Sequence, residues 1–109
     1  MIVYNDFTEF EKENKELSKE LLDVKGKGEW QQEEIYFHKS LVDFAEYEVT
    51  DGWYSDLFGN MMTDFNEAPN LFEYIDYEEL GNDLIYSWDN SINYYSEVSN
   101  KVVTTSYGW

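Results

Sequence analysis

SINYYSEVSNKVVTTSYGW, residues 91–109, is the stretch that decides the fold. Much of the chain before it reads as helix, and this segment does not. Two runs rich in β-branched and aromatic residues flank Ser99-Asn100, which reads as the two-residue turn of a hairpin. MIVY at residues 1–4 adds a further short β-type run. TEFEKENKELSKELLDV, residues 8–24, has Thr8 and Glu11 at the spacing of a capping box. Phe10, Leu17, Leu21 and Val24 then fall on one helical stripe, with Lys and Glu around the rest, and Gly26 and Gly28 end the helix. The expected class is α+β: acidic helices packed on a short antiparallel sheet or C-terminal hairpin.

The middle of the chain is less regular. EEIYFHKSLVDFAEY, residues 33–47, would make a helix, while IYFH and EYEVT alternate as strands do, so residues 30–50 stay open. Asp51-Gly52 is a turn signal. WYSDLFGNMMTDF, residues 53–65, reads as a helix burying Trp53, Leu57, Phe58, Met61 and Phe65. Pro69 stands where the next helix would begin. In that helix Tyr74, Tyr77, Gly81, Leu84 and Trp88 recur at three- and four-residue spacings and share one face, leaving Glu73, Asp76, Glu79 and Asp83 on the other.

The 109 residues, 42% of them hydrophobic and 19% aromatic, suffice for one acidic globular domain spanning 1–109, with a radius of gyration of roughly 13 Å. Aromatic content this high argues against disorder. The formal net charge of −17 repels nucleic acid and anionic membranes, so direct binding to either is not expected. There is no basic leader and no long apolar run, which makes a cytoplasmic protein the simplest reading. Charge is unevenly placed. Six of the seven lysines lie at or before Lys39, and from Ser40 to Asn100 there are 14 acidic residues and no Lys or Arg.

Catalytic patterns are absent. His38 is the single histidine, and no cysteine or serine elbow accompanies it, so a structural or solvent-facing role is expected. The pairs Glu33-Glu34 and Glu78-Glu79 are unremarkable in so acidic a chain. No calcium loop or phosphate-cradling glycine loop is present. Trp30, Trp53, Trp88 and Trp109 suit a core better than a sugar platform. The expectation is a non-enzymatic protein that needs no cofactor and no metal.

LFEYIDYEELGNDL, residues 71–84, holds five carboxylates and no cation. Between Glu73 and Asp83 these occupy roughly 15 Å of helix axis at about 1.5 Å per residue. One strand of B-DNA carries roughly four to five charges over that length, at one per about 3.4 Å. A folded surface of this density would offer a DNA-binding enzyme something resembling its own ligand. The plain alternative is a solvated acidic face that keeps a small protein soluble.

NEAPNLFEYIDYEELGNDL, residues 66–84, resembles the antirestriction motif of the ArdA family, acidic proteins of mobile elements that imitate DNA and inhibit type I restriction enzymes. Glu67 and Pro69, the run Tyr74-Ile75-Asp76-Tyr77, and Gly81, Asp83 and Leu84 carry the likeness. Asn82 stands where that family usually has Arg. The resemblance implies a phage or mobile-element inhibitor, possessing no activity of its own, whose partner is a host DNA-binding defence enzyme, a type I restriction-modification complex. Because one domain is much shorter than the DNA such a complex covers, the nucleic-acid channel of a CRISPR effector nuclease is the alternative target. The expected contact residues are Asp56, Asp64, Glu67, Glu73, Asp76, Glu78, Glu79 and Asp83. Tyr74, Tyr77, Leu84 and Trp88 are the candidate anchors. The motif equally implies a homodimer through those four residues, as an acidic structural or assembly protein would form. Glu13, Glu16 and Glu20, set among lysines, are expected to tolerate neutralisation.

Overall fold

Val102 and Val103 are adjacent, and both are fully buried. Successive residues of a strand point to opposite faces, so the sheet that carries them must be covered on both sides. The computed structural model, which describes residues 1–55, 69 and 71–109, shows how. Its sheet has four antiparallel strands: β1 (Ile2–Tyr4), β2 (Ile35–His38), β3 (Asn93–Ser96) and β4 (Lys101–Thr105), in the order β1-β2-β4-β3. Helices α1 (Phe7–Glu13) and α2 (Lys15–Lys25) lie on one face. There Phe7, Phe10, Leu17 and Leu21 pack with Trp30, Ile35, Phe37 and Val103. Helices α3 (Leu41–Thr50) and α4 (Tyr77–Ser87) lie on the other, where Leu41, Phe44, Ala45 and Leu84 pack with Val102. The fold is α+β, as expected, in three layers.

Local chemistry accounts for the departures from the sequence expectation. The hairpin loop has four residues, not two: Ser96 pairs with Lys101, and Asn100 N–H donates to the Ser96 carbonyl at 2.8 Å. A two-residue turn of type I′ needs positive φ at both central residues. Only Asn100 adopts it, with φ 58°, and Val98 belongs to the loop, 92% exposed. The N-terminal helix is two helices. Asn14 breaks it, with φ −134° and ψ 58°, while its side-chain amide donates to the Phe10 carbonyl and the Tyr4 hydroxyl, both at 3.2 Å. A short amide side chain that bonds the local backbone competes with helix in this way. The N-cap is Asp6, not Thr8: its carboxylate accepts from Glu9 N–H at 2.9 Å, and Glu9 in turn accepts from Asn5 N–H at 3.0 Å. After the break α2 buries Leu17, Ser18 and Leu21, leaving Val24 58% exposed.

Residues 30–50 divide between the two open possibilities. IYFH is β2, and Ser40 caps α3 by accepting from Asp43 N–H at 3.1 Å, so EYEVT is helix. The Asp51-Gly52 turn forms, with Gly52 N–H donating to the Tyr47 carbonyl at 2.9 Å. Trp53, expected in the core, is 63% exposed; Leu57, Phe58, Met61 and Phe65 lie outside the described residues. Pro69 is exposed and does not open a helix. A 3-10 turn at Leu71–Tyr74 intervenes, and α4 starts at Tyr77 because Asp76 caps it. The radius of gyration, 15.5 Å, exceeds the roughly 13 Å of a compact globule, and the principal extents are 51 × 24 × 24 Å. No described helix is long and apolar enough to cross a membrane.

Candidate functional site: the acidic helical layer

Gly81 determines how closely α4 approaches α3, since a Cβ there would lie 2.7 Å from Leu41 Cγ. Leu84 is buried in the same contact, and the Trp88 ring meets Phe44 edge to face at 5.4 Å. The inward face of α4 is therefore Tyr77, Gly81, Leu84 and Trp88, and Glu78, Glu79 and Asp83 are exposed. Tyr74 precedes the helix, in the 3-10 turn, and is 71% exposed. Of the four aromatic and aliphatic anchors, Tyr74 alone is open to a partner. Leu84, at 3% exposure, and the half-buried Tyr77 and Trp88 face this chain's own α3 layer.

The carboxylates occupy the opposite side. Glu73 is exposed on the 3-10 turn. Asp76 is the α4 N-cap, its Oδ1 accepting from Glu79 N–H at 3.0 Å. A carboxylate there also meets the positive end of the helix dipole. Asp56, Asp64 and Glu67 lie outside the described residues. Helix α3 and the turn after it add Asp43, Glu46, Glu48 and Asp51, which the sequence reading did not single out. With residues 30–50 undecided, nothing placed them beside α4, although the cation-free run from Ser40 already contained them. Burial first, and then the Glu46 carboxylate, push the Tyr77 hydroxyl pKa up, consistent with an α3 charge near the start of α4.

Apart from Lys39 beside the start of α3, the cations of the described helices and strands lie on the other face. Lys12, Lys15, Lys19 and Lys25 sit on α1 and α2 among six acidic residues. Lys101 Nζ lies 5.7 Å from the Phe37 ring centroid, against the same core. Lys25 Nζ donates to the Asn90 carbonyl at 3.1 Å and stands 5.4 Å from the Trp109 ring centroid. Among the described residues, the ion pair recorded is Lys39–Asp43 at 3.7 Å, one turn apart at the start of α3. The division of the sequence near residue 39 thus becomes a division between the two faces of the sheet. The α1–α2 layer mixes both signs, and the described part of the α3–α4 layer beyond Lys39 has acidic residues only.

Two of the carboxylates expected to tolerate neutralisation have structural partners. Tyr4 Oη donates to Glu13 at 2.7 Å. Glu20 reaches the sheet, accepting from Ser96 Oγ at 2.9 Å and from the Tyr94 hydroxyl, whose pKa is pushed well up by burial and by Glu20 itself. Of the two roles open to His38, the structure shows the buried one and not the solvent-facing one. It is buried between the rings of Phe44 and Tyr47, at 5.1 and 5.3 Å, and burial pushes its pKa down to about 4. Its Nδ1 has no hydrogen-bond partner. Among the described residues no group of three or more His, Asp or Glu converges to hold a metal ion.

In comparisons with known proteins, no family model matches this chain, and neither a curated protein nor a solved structure matches it.

Proposed function

We propose that this protein is a non-enzymatic inhibitor whose acidic α3–α4 layer occupies the nucleic-acid site of a DNA-binding defence nuclease in place of DNA. The observation that carries this reading is the segregation of charge by sheet face. A solubilising excess of charge has no reason to avoid lysine on one helical layer while mixing lysine freely into the other. Helices α3 and α4 pack against each other, so the carboxylates of both belong to one layer. A basic DNA cleft would meet both, and an arginine that reads guanine pairs equally well with a carboxylate.

The ArdA-like motif fits this division of labour. Its Gly81 and Leu84 pack α4 on α3, while its Asp76 and Asp83 stay in water. CRISPR effector nucleases and type I restriction-modification complexes are the target classes with suitable clefts. Affinity capture from a nuclease-treated lysate of a low-GC bacterium, followed by mass spectrometry, tests the proposal. DNA- or RNA-handling proteins should be recovered; metabolic enzymes alone would overturn it.

A further inference from the structure

We propose that a groove at the C-terminal ends of α3 and α4 takes an arginine side chain of the protein that the acidic layer engages. This rests on the function proposed above and names one contact within it. The groove has a volume of about 370 Å³, and Phe44, Trp53, Leu84 and Trp88 supply its apolar walls, with Glu48 and Asp89 among its polar lining. A second hollow of about 350 Å³ shares Phe44 and Glu48 with it and reaches His38.

Three features select a guanidinium. Aromatic walls offer ring faces on which a planar, weakly hydrated cation stacks, and Trp53, whose ring stacks on that of Tyr54 at 5.8 Å, is 63% exposed. The two charged groups of the lining are both carboxylates, and the Ser87, Asn93 and Thr104 donors are spent on the Asp83 carbonyl, the Asp89 carbonyl and the Asn93 side chain. Glu48 accepts from Trp53 N–H at 3.0 Å and, as a carboxylate, has further lone pairs. Asp89 is held charged by Ser91, whose N–H and hydroxyl donate to it at 2.8 and 2.6 Å. His38 lines the second hollow, and burial first, then the Met1 ammonium, hold it neutral, so its imidazole retains one acceptor nitrogen.

The third feature is the helix ends themselves. Helices α3 and α4 both lack a basic residue in the last turn, and Glu48, Ser87 and Trp88 from those turns line the groove. The carbonyl end of a helix favours a cation, and no described lysine lines this groove. Gly52 sets the geometry: a Cβ there would lie 2.9 Å from the Glu48 Cα, so glycine lets the chain fold back and bring Trp53 beside Glu48.

N-acetyl-arginine amide, titrated into isotope-labelled protein while the tryptophan indole N–H resonances are followed, tests this without any nuclease. Trp53 and Trp88 should shift saturably, and Trp30 and Trp109, which meet each other on the α1–α2 side, should not. Glu48→Gln, with its fold checked from the remaining resonances, should bind the probe roughly tenfold more weakly, the loss of one charge-assisted bond. N-acetyl-lysine amide should bind more weakly than the arginine probe. The proposal is overturned by an absence of saturation, by equal shifts at Trp30 and Trp109, by unchanged affinity in Glu48→Gln, or by equal binding of lysine. Any of these results alongside intact inhibition of a captured nuclease removes the groove and leaves the acidic layer. A nuclease that ignores charge removal on α4 removes the proposed function instead.

Discussion

His38 is neutral because it is buried. Protonating it would place a poorly solvated charge beside Phe44 and Tyr47 and near the Met1 ammonium, which Asp43 offsets only in part, so its pKa lies near 4 in the fold and near 6.5 when unfolded. Between those values the unfolded chain binds more protons than the folded one. The contribution is therefore complete above about pH 6.5 and is lost as pH falls toward 4. From pH 7.5 to 5 the loss should be about 2 kcal/mol, and it should disappear in His38→Phe, which keeps the aromatic packing. Urea unfolding of both proteins at the two pH values measures it; parallel behaviour of the two would show that His38 does not titrate with folding. The lack of catalytic company left His38 either structural or solvent-facing, and its burial was not legible in the sequence. Nothing in it placed Glu20 against Tyr94 and Ser96, because that contact joins residues more than 70 positions apart.

The contact between α3 and α4 is narrow enough to test with one methyl group. Alanine is about 1 kcal/mol better than glycine inside a helix, yet a Cβ at Gly81 would overlap the buried Leu41. Overpacking of this kind costs roughly 1–3 kcal/mol, so Gly81→Ala should be destabilising on balance, and less so in combination with Leu41→Ala than the two single losses predict. Equilibrium unfolding of the three variants gives the coupling; a stabilised Gly81→Ala would mean that the helices do not touch there. Element identity was legible where periodicity was strong. The inward stripe of α4, the β-rich ending and the helical character of residues 8–24 all follow from spacing. Element boundaries were not legible, since Asp6, Asn14, Ser40 and Asp76 set them through side-chain bonds to the backbone, and several residue types nearby would cap equally well. Residues 30–50 were undecided for the same reason, until Ser40 ended the strand's continuation and began α3.

At the scale of the molecule, a sheet covered on both faces turns an uneven sequence into a two-faced charge distribution. Binding through the acidic face should weaken as salt rises between about 50 and 200 mM, with a shallower slope than duplex DNA shows for the same enzyme, because a protein lacks the condensed counterions of DNA. Titrations of the captured nuclease with each competitor compare the slopes; no salt dependence would point to an apolar interface. The asymmetry was visible in the sequence as the lysine-free run, but its meaning depended on topology, which places residues 40–50 and 77–87 on one side of β4 and residues 7–25 on the other. The most direct test neutralises two carboxylates on each side. Asp76→Asn with Asp83→Asn removes charge from α4 and keeps the N-cap, since asparagine caps as aspartate does. Glu11→Gln with Glu16→Gln removes the same charge from exposed positions on α1 and α2, avoiding Glu13 and Glu20 with their tyrosine partners. In affinity measurements against the captured nuclease, the α4 pair should weaken binding at least about thirtyfold, at about 1–2 kcal/mol per carboxylate, and the α1–α2 pair no more than about twofold. Equal losses from the two pairs would contradict the claim that the acidic layer is the binding face.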